Sequence, residues 1–447
     1  MPSAVIPMLE RLALDRLLTW KTNKTKQALM IMGARQVGKT TLVREFARRA
    51  YDSIAEVNFL GNTRAIETLG AAVDADDLLL RLSVITGASI KPGETLLFLD
   101  EIQECQDMLT WVKFLAERID LDVILSGSLL GLDTYAQARS LPVGFLQKMT
   151  MYPLSFEEFC LATGVTREVW QQMSEHIRAR QKVPDFIHER LIRAFREYLL
   201  VGGMPDVVQA YVDTSQIVPV RETQRAIVDL YESDIVKYVA DPTEARQIKM
   251  VYEAIPAQLN APAKRFKYAR LGKNLRFANM ETAFDWLEHS GTVITATRVG
   301  ETSFPLGLSE DRSTFKLFMN DIGLLTSKLM GSVSLDIING RTNINYGSLF
   351  EAAVAQELIA SGHTPHYYAQ KKHGEVDFVI ENKTTGETQL IEVKSGKDYK
   401  RHSALSGLLR DGLAQNAVVL HGGNVERADD RDYLPVYAAS LLLEQQS

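Results

Sequence analysis

Residues 33–40 read GARQVGKT, which matches the pattern GxxxxGK[ST]. The loop follows the apolar run ALMIM at 28–32 and leads into TTLVREFARRA at 40–50, where apolar residues recur at helical spacing. Glycines let successive backbone amides curl around phosphate oxygens, and a helix N-terminus adds a partial positive charge. The strand, loop and helix together predict a phosphate-binding loop, which we call the P-loop.

The polar side chains of the P-loop each have an expected role. Lys39 is placed to bridge the β- and γ-phosphates of ATP, and Thr40 offers a hydroxyl that ligates Mg²⁺. The remaining expected nucleotide contacts are Gly33, Arg35, Gly38 and Thr41. The alternative interpretation is an ordinary glycine-rich turn.

A second apolar run, TLLFLDE at 95–101, ends in two acids and is typical of a strand buried on both faces. Ligands bind at the carboxyl ends of strands in open α/β sheets. We therefore expect Asp100 to hold the Mg²⁺ shell and Glu101 to polarise the attacking water as a general base. The alternative is that both acids face solvent and cap the next helix.

A third run, DVIL at 122–125, delivers Ser126, Gly127 and Ser128 to the same edge of the sheet. A polar residue there is placed to sense the γ-phosphate, so Ser126 is the first candidate and Ser128 the second. A Ser-Gly-Ser sequence also makes an ordinary turn, which is the alternative.

The bulk composition bounds the class of protein. A chain of 447 residues is too long for one core and predicts roughly three domains. Its 46% hydrophobic and 24% charged residues are typical of a globular protein, and its formal net charge of -6 argues against indiscriminate nucleic-acid binding. Cys105 and Cys160 are its only cysteines, and its apolar runs are too short for export or a membrane span, so we expect a cytoplasmic protein.

Periodicity divides the chain into four predicted parts. Residues 1–160 alternate β-like runs with helical stretches, as in an α/β domain with a parallel sheet. Residues 161–243 are almost wholly helical and break at VGGMP, residues 201–205, which indicates a helical lid. In 244–335 helices precede two β-like runs, as in a winged helix, and 336–447 form a further α/β unit.

The predicted winged helix contains the basic segment PAKRFKYARLGKNLRF at 262–277, which has no acidic residue. Such a segment could contact DNA phosphates. The predicted recognition helix, at 280–289, carries Glu281, Asp285 and Glu288, which would repel a duplex. DNA binding and an intramolecular switch are therefore both open for this part of the chain.

Glu351, Asp377, Glu392 and Lys394 form a candidate site in the last part of the chain. If GEVDFVIE and LIEVKSG pair as a hairpin around NKTTGE, Asp377 lies opposite Glu392 and Lys394 shares their face. These carboxylates could hold Mg²⁺ and activate water near a phosphodiester, with Lys394 steadying the charge and helix residue Glu351 completing the set. A salt-bridged surface trio without activity explains the same residues equally well.

The motifs GARQVGKTTL, LFLDEIQ, VILSGSLL, MYPLSFEEF and YLLVGGMP follow one another along the chain. This series resembles the prokaryotic AAA-type ATPases that carry a C-terminal domain of unknown function. The resemblance implies an ATP-binding α/β core, a helical lid, a winged helix and a C-terminal fold similar to the PD-(D/E)xK nucleases. It also implies that Pro205, in Gly203-Met204-Pro205, lies against adenine, although a helix-breaking turn explains that step too. Many relatives have an arginine where Phe145 follows Gly144 here, which puts a trans-acting arginine at this position in doubt.

The expected function is Mg²⁺-dependent ATP hydrolysis coupled to a nuclease-like C-terminal module that acts on DNA. The alternative is a nucleotide-dependent signalling or interaction switch with a catalytically inert C-terminal module. ATP, ADP and Mg²⁺ are the expected ligands, DNA is a candidate partner, and an AAA-type core also allows a homo-oligomer.

Overall fold

The computed structural model of the protein describes residues 9–22, 27–105, 107–116, 121–127, 144–273, 275–329, 346–396, 398–428 and 430–443. These residues fall into two compact units, each with its own sheet. The smaller unit is built on Glu10–Tyr152, and the larger on Pro153–Glu288 and Thr292–Ser447.

The smaller unit alternates strands and helices. Its strands are β1 (Ala28–Met32), β2 (Ser53–Asn58), β3 (Thr95–Asp100), β4 (Asp122–Gly127) and β5 (Leu146–Thr150). Its helices are α1 (Ala13–Thr22), α2 (Lys39–Ala50), α3 (Thr63–Gly70), α4 (Ala75–Thr86) and α5 (Asp107–Ala116).

The sheet of the smaller unit is parallel throughout, with the order β2-β3-β4-β1-β5. The strands β1 and β3 are buried along their whole length, as expected of apolar runs in a parallel sheet. The predicted α/β fold with a parallel sheet is therefore confirmed. β1 has the predicted bounds, whereas β2 begins at Ser53 instead of Ala55 and β5 at Leu146 instead of Met149.

The larger unit begins with helices, as its sequence predicts. They are α6 (Phe156–Ala162), α7 (Arg167–Arg178), α8 (Asp185–Val201), α9 (Pro205–Thr214), α10 (Ile217–Tyr238), α11 (Pro242–Leu259), α12 (Glu281–Ser290), α13 (Ile322–Leu329), α14 (Tyr346–Ala360) and α15 (Ser403–Arg410). Among the described ranges, no helix combines the length and the apolar character needed to cross a bilayer.

The larger unit also contains an eight-stranded sheet with the order β12-β13-β11-β10-β9-β8-β6-β7. Its strands are β6 (Val293–Val299), β7 (Glu310–Met319), β8 (His366–Gln370), β9 (Gly374–Asn382), β10 (Glu387–Lys394), β11 (Ala417–His421), β12 (Glu426–Arg427) and β13 (Asp432–Pro435). β11 has the predicted bounds, and β9 and β10 extend the predicted strands by one or two residues.

The helix α6 is grouped with the larger unit, which begins in this part of the chain at Pro153. The ring of Phe156 lies 5.8 Å from Trp170, 5.5 Å from Phe195 and 5.6 Å from Tyr198, measured between ring centroids. These aromatic contacts join the PLSFEEF segment to the predicted lid helices α7 and α8.

The two strands predicted for a winged helix are present as β6 and β7, which pair in antiparallel fashion. β6 also pairs in parallel with β8, so both strands join the sheet of the C-terminal segment. The predicted boundary at 335/336 therefore does not separate two sheets. The linking strand β8 is HYYAQ, whose sequence shows neither an apolar run nor a clean alternation, so periodicity does not identify it as a strand.

Candidate functional site

The backbone of the P-loop has the shape that its glycines predict. Gly38 lies in the left-handed region with φ 91° and occupies the N-cap of α2, where it has no side chain to compete for the first-turn amides. A Cβ on Gly33 would lie 2.3 Å from the Met151 carbonyl oxygen, so only glycine fits at that close approach. The start of α2 is therefore open to an anion, as the sequence predicts.

Lys39 is buried and folds back on its own loop. Its Nζ donates to the carbonyl oxygens of Gly33 at 3.0 Å and Ala34 at 2.9 Å. Burial lowers the pKa of Lys39, and the nearby carboxylates of Glu101 and Asp100 oppose that effect. An ammonium held by two neutral carbonyls has a stronger partner in a phosphate oxygen.

Asp100 lies at the end of β3 and is 1% exposed. Its Oδ2 accepts hydrogen bonds from Thr40 Oγ1 at 2.9 Å and from Asn58 Nδ2 at 2.9 Å, and its Oδ1 accepts one from Ser126 Oγ. Burial raises the pKa of Asp100, although the hydrogen bonds from Ser126 and Thr40 act the other way. Three of the predicted residues are therefore brought together at one edge of the sheet.

Asn58 is a site residue that the sequence analysis did not single out. It is the last residue of β2 and contacts Asp100 directly. The sequence does contain a signal for Asn58, because it is a polar residue at the end of a strand, and the same feature identifies Asp100. The second serine candidate, Ser128, lies outside the described residues.

Glu101 follows β3 directly and adopts a left-handed backbone with φ 55°. Its Oε2 accepts a hydrogen bond from Gln103 Nε2. A left-handed backbone at a residue other than glycine is uncommon and costs free energy, and such strain concentrates at functional sites. Gln103 was not predicted and orients the Glu101 carboxylate.

One arginine contacts the P-loop from outside and another belongs to it. Arg11 is 8% exposed, and its guanidinium donates to the carbonyl oxygens of Val37 at 2.8 Å and Tyr152 at 2.7 Å. It therefore ties the loop to the chain that follows β5, a role without any local sequence signal. Arg35 lies near enough to Lys39 to lower the pKa of that lysine. Thr41, another predicted nucleotide contact, is exposed on the first turn of α2.

Pro205 belongs to the larger unit, where it occupies the first turn of α9. A Cβ on the neighbouring Gly203 would lie 2.1 Å from the Leu154 carbonyl oxygen, and the Gly203 amide donates to Asp321 Oδ2 at 2.6 Å. The glycine thus has a packing role within the larger unit. The placement of Pro205 against adenine stays a prediction.

The C-terminal carboxylates lie on β9, β10 and α14. Ile391 pairs with Phe378, and the same register continued by one residue sets Glu392 opposite Asp377. This is the pairing predicted for a hairpin with its turn at NKTTGE. Asp377 Oδ2 accepts a hydrogen bond from the Val393 amide at 2.9 Å, and Lys394 Nζ donates to Glu392 Oε1 at 2.6 Å.

Two lysines that the sequence analysis did not assign to this cluster complete it. Lys264 pairs with Glu351, and Lys316, on β7, places its Nζ 2.8 Å from Glu375 Oε1, 3.6 Å from Glu351 Oε2 and 3.6 Å from Asp377 Oδ1. The cluster is not a surface trio, because Glu351 is 2% exposed and Glu392 is 7% exposed. We refer to Lys264, Lys316, Glu351, Glu375, Asp377, Glu392 and Lys394 as the carboxylate cluster.

The acids of the carboxylate cluster do not share one protonation behaviour. Burial and the neighbouring Asp377 raise the pKa values of Glu351 and Glu392. The ammonium groups of Lys316 and Lys264 lower the pKa of Asp377 in spite of its burial. A cavity of about 320 Å³ opens beside Lys264, Asp377 and Lys394.

Three family models match successive parts of the chain. Residues 25–160 match the AAA domain, residues 192–333 match a domain of unknown function (DUF8612), and residues 346–439 match another domain of unknown function (DUF4143). No curated protein matches the sequence.

Several solved structures are similar to the chain at low identity. The Walker-type ATPase paby2304 of Pyrococcus abyssi is 13% identical, with 72% of this chain and 96% of that chain covered and a TM-score of 0.44. Cdc6p from Pyrobaculum aerophilum is 12% identical, with 76% and 97% covered and a TM-score of 0.27. The Aeropyrum pernix ORC1 protein, solved in complex with DNA, is 12% identical, with 73% and 94% covered and a TM-score of 0.27.

The family match and the site geometry agree on the smaller unit. The matched segment contains the P-loop, β3 with Asp100 and β4 with Ser126. Residues 25–160 therefore form an AAA-type domain with the α/β fold of P-loop nucleoside triphosphatases.

Proposed function

We propose that the chain binds ATP with Mg²⁺ at the P-loop and hydrolyses it, and that the bound nucleotide controls the larger unit. The single observation that carries the proposal is the 2.9 Å contact between the Thr40 hydroxyl and the Asp100 carboxylate at the open start of α2. The match of residues 25–160 to the AAA domain supports the same reaction.

The residues present fit a magnesium ion at this place. A threonine hydroxyl and an aspartate carboxylate are the oxygen ligands that Mg²⁺ takes beside nucleotide phosphates. Thr40 and Asp100 would hold the ion, and Asn58 and Ser126 fix the Asp100 carboxylate so that it faces Thr40. When bound, Mg²⁺ neutralises charge that develops on the phosphates.

The protein side chains account for the remaining requirements of the reaction. Lys39 exchanges its two carbonyl partners for phosphate oxygens and stabilises their negative charge. Glu101, oriented by Gln103, accepts the proton of the attacking water. Ser126 stands at the strand end where a γ-phosphate would be sensed.

The test is phosphate release by purified protein with Mg-ATP. Glu101→Gln should retain ATP binding and lose turnover by at least roughly 100-fold, because only proton transfer is removed. Lys39→Ala should lose both binding and turnover. Wild-type turnover in either variant would remove the assignment, and calorimetry with ATP separates the binding loss from the catalytic loss.

For the C-terminal segment we propose the role of a catalytically inert interaction module that responds to the nucleotide state. Supporting this, the carboxylates of Glu351, Asp377 and Glu392 already have lysine partners. Removing one partner of such a buried ion pair leaves an uncompensated charge and is destabilising, so a structural role is sufficient to retain these residues.

DNA cleavage is the second candidate role, because Asp377, Glu392 and Lys394 have the register that a nuclease of the PD-(D/E)xK type requires. Plasmid and single-stranded DNA, incubated with wild type and Lys394→Ala in Mg²⁺ and ATP, decide between the two. Cleavage that Lys394→Ala abolishes would contradict the inert module, and cleavage common to both proteins would indicate a contaminant.

A further inference from the structure

The ammonium of Lys316 lies among three acids of the carboxylate cluster. Its Nζ is within 3.6 Å of one oxygen from each of Glu351 and Asp377, and 2.8 Å from Glu375. These carboxylates come from α14 and β9, so the lysine joins different elements. Two of these side chains, Glu351 and Asp377, are among the predicted ligands of a magnesium ion.

Lys316 is enclosed at this position. Its side chain is 0% exposed, and its Nζ lies 5.1 Å from the ring of Tyr367 and 5.9 Å from the ring of Phe378. Lys264, by contrast, has a side chain that is 21% exposed and could turn toward solvent. An entering cation could displace Lys264 but would remain beside the fixed charge of Lys316.

Each of the carboxylates of Glu351, Asp377 and Glu392 has one oxygen engaged by a donor, while Glu351 Oε2 and Glu392 Oε2 have no hydrogen-bond partner among the described residues. Glu351 Oε1 pairs with Lys264, and Asp377 Oδ2 accepts from the Val393 amide. Glu392 Oε1 pairs with Lys394. Among the described residues, no group of three or more histidines, cysteines, aspartates or glutamates is arranged to hold a metal ion. The residues present therefore do not fit a divalent ion while Lys316 is in place.

We propose that the Lys316 ammonium is the resident cation of the carboxylate cluster, so that the wild-type chain binds no divalent metal ion there. This inference rests on the inert-module part of the proposed function and explains how the module keeps Glu351, Glu375 and Asp377 together without a metal. The C-terminal segment then has the strand register of a nuclease, but Lys316 on β7 supplies the positive charge that a metal ion would otherwise supply.

The test is uptake of Mn²⁺ by nucleotide-free protein, followed through the electron paramagnetic resonance signal of free Mn²⁺. Wild type and Asp377→Asn should take up equally little, because no ion sits at the cluster. Lys316→Met keeps the length of the side chain and removes its charge. It should bind one Mn²⁺ at least roughly 100-fold more tightly than wild type, since a charge about 4 Å from an ion opposes binding strongly. Lys316→Met/Asp377→Asn should lose that gain.

Lys264→Met is the matched control, because it also removes an ammonium from Glu351 but leaves Lys316 in place. It should take up no more Mn²⁺ than wild type. Equal gains in Lys264→Met and Lys316→Met would overturn the proposal, as would uptake by wild type that Asp377→Asn abolishes, or a folded Lys316→Met that binds nothing.

The variant Lys316→Met leaves carboxylates without their partner, so it could require metal to fold. Folding that depends on added Mn²⁺ would itself support the proposal. If the variant folds neither with nor without Mn²⁺, the comparison of wild type with Asp377→Asn decides alone. Phosphate release from Mg-ATP is measured in every folded protein. A loss of ATPase activity would count against the nucleotide proposal and leave the metal result to be judged separately.

Discussion

Glu357, on α14, gives the larger unit a stability that depends on pH. Its buried Oε1 accepts hydrogen bonds from the Phe156 amide at 2.8 Å and the Tyr198 hydroxyl at 3.2 Å, while Oε2 has no hydrogen-bond partner among the described residues. Burial raises the pKa of Glu357 from 4.5 to about 8, with these hydrogen bonds opposing the shift. Between pH 4.5 and about 8 the Glu357 carboxyl is therefore protonated in the folded unit and ionised in the unfolded chain.

The sign and size of the effect follow from this raised pKa. The stabilisation is complete below pH 4.5 and is lost as the pH rises through about 8. Between these limits each pH unit lowers the opening free energy by about 1.4 kcal/mol, which is tenfold in the opening equilibrium. Asp321, whose pKa burial raises to about 6, adds a slope of the same sign at lower pH. Over about pH 6.5 to 7.5 Glu351 and Glu392, whose pKa values burial raises to about 7, add slopes of the same sign, so the contribution of Glu357 is the difference between wild type and a variant that lacks its carboxyl.

Hydrogen exchange of peptides covering 153–162 and 346–360 measures this opening once the intrinsic pH dependence of exchange is subtracted. Over that pH unit the opening equilibrium of wild type should rise about tenfold more than that of Glu357→Gln. Glu357→Gln keeps an oxygen for both donors and cannot titrate at this position, so it keeps only the slope of the other acids. Glu175→Gln, at an exposed position on α7, should keep the wild-type slope. Equal slopes in wild type and Glu357→Gln would refute the reasoning.

Three further substitutions test the contacts described above. Thr40→Val removes the hydroxyl but keeps the shape, so it should lower phosphate release at least roughly 100-fold, whereas Thr40→Ser should retain most of it. Equal rates in Thr40→Val and wild type would contradict the metal-ligand role. Arg11→Met should weaken ATP binding roughly tenfold in calorimetry, since the guanidinium fixes the Val37 carbonyl, and unchanged affinity would show that the loop holds its shape alone. Gly203→Ala should lower the melting temperature by roughly 5 °C or prevent folding, because its Cβ would lie 2.1 Å from a backbone oxygen. Gly307→Ala, whose Cβ would meet nothing within 4 Å, is its control, and equal stability of the two would show that the backbone gives way.

The arrangement of the nucleotide site is readable from the sequence because its residues are consecutive or end apolar runs. Thr40 is the last residue of the P-loop and lies in the first turn of α2. Asp100 is the last residue of β3, and Ser126 lies near the end of β4. Parallel strands bring such ends to one edge, so the contacts of Asp100 with Thr40 and Ser126 follow from local pattern and the sheet rule. Asn58 obeys the same rule, whereas Arg11 does not, since nothing near it in the sequence specifies a distant carbonyl.

The larger sheet is less readable, because its decisive pairing joins segments far apart in the chain. Thr297 pairs with His366, and the strand that supplies His366 has neither an apolar run nor alternation. The hairpin of β9 and β10 is local, and its register could be calculated from its turn. Local pairing is thus predictable from spacing, while the parallel pair of β6 and β8 depends on how the whole unit packs.

The carboxylate cluster illustrates how that difference affects function. Its acids and Lys394 lie on a helix and a hairpin that the sequence identifies, and those residues alone describe a metal site. Lys316 comes from β7, where a charge within the apolar run TFKLFMN signals that it needs a partner but does not say which one. Whether such a cluster holds a metal or an ammonium is therefore decided by a third element that the motif does not contain. It follows that changing Lys316 should alter metal uptake while phosphate release at the P-loop stays as in wild type.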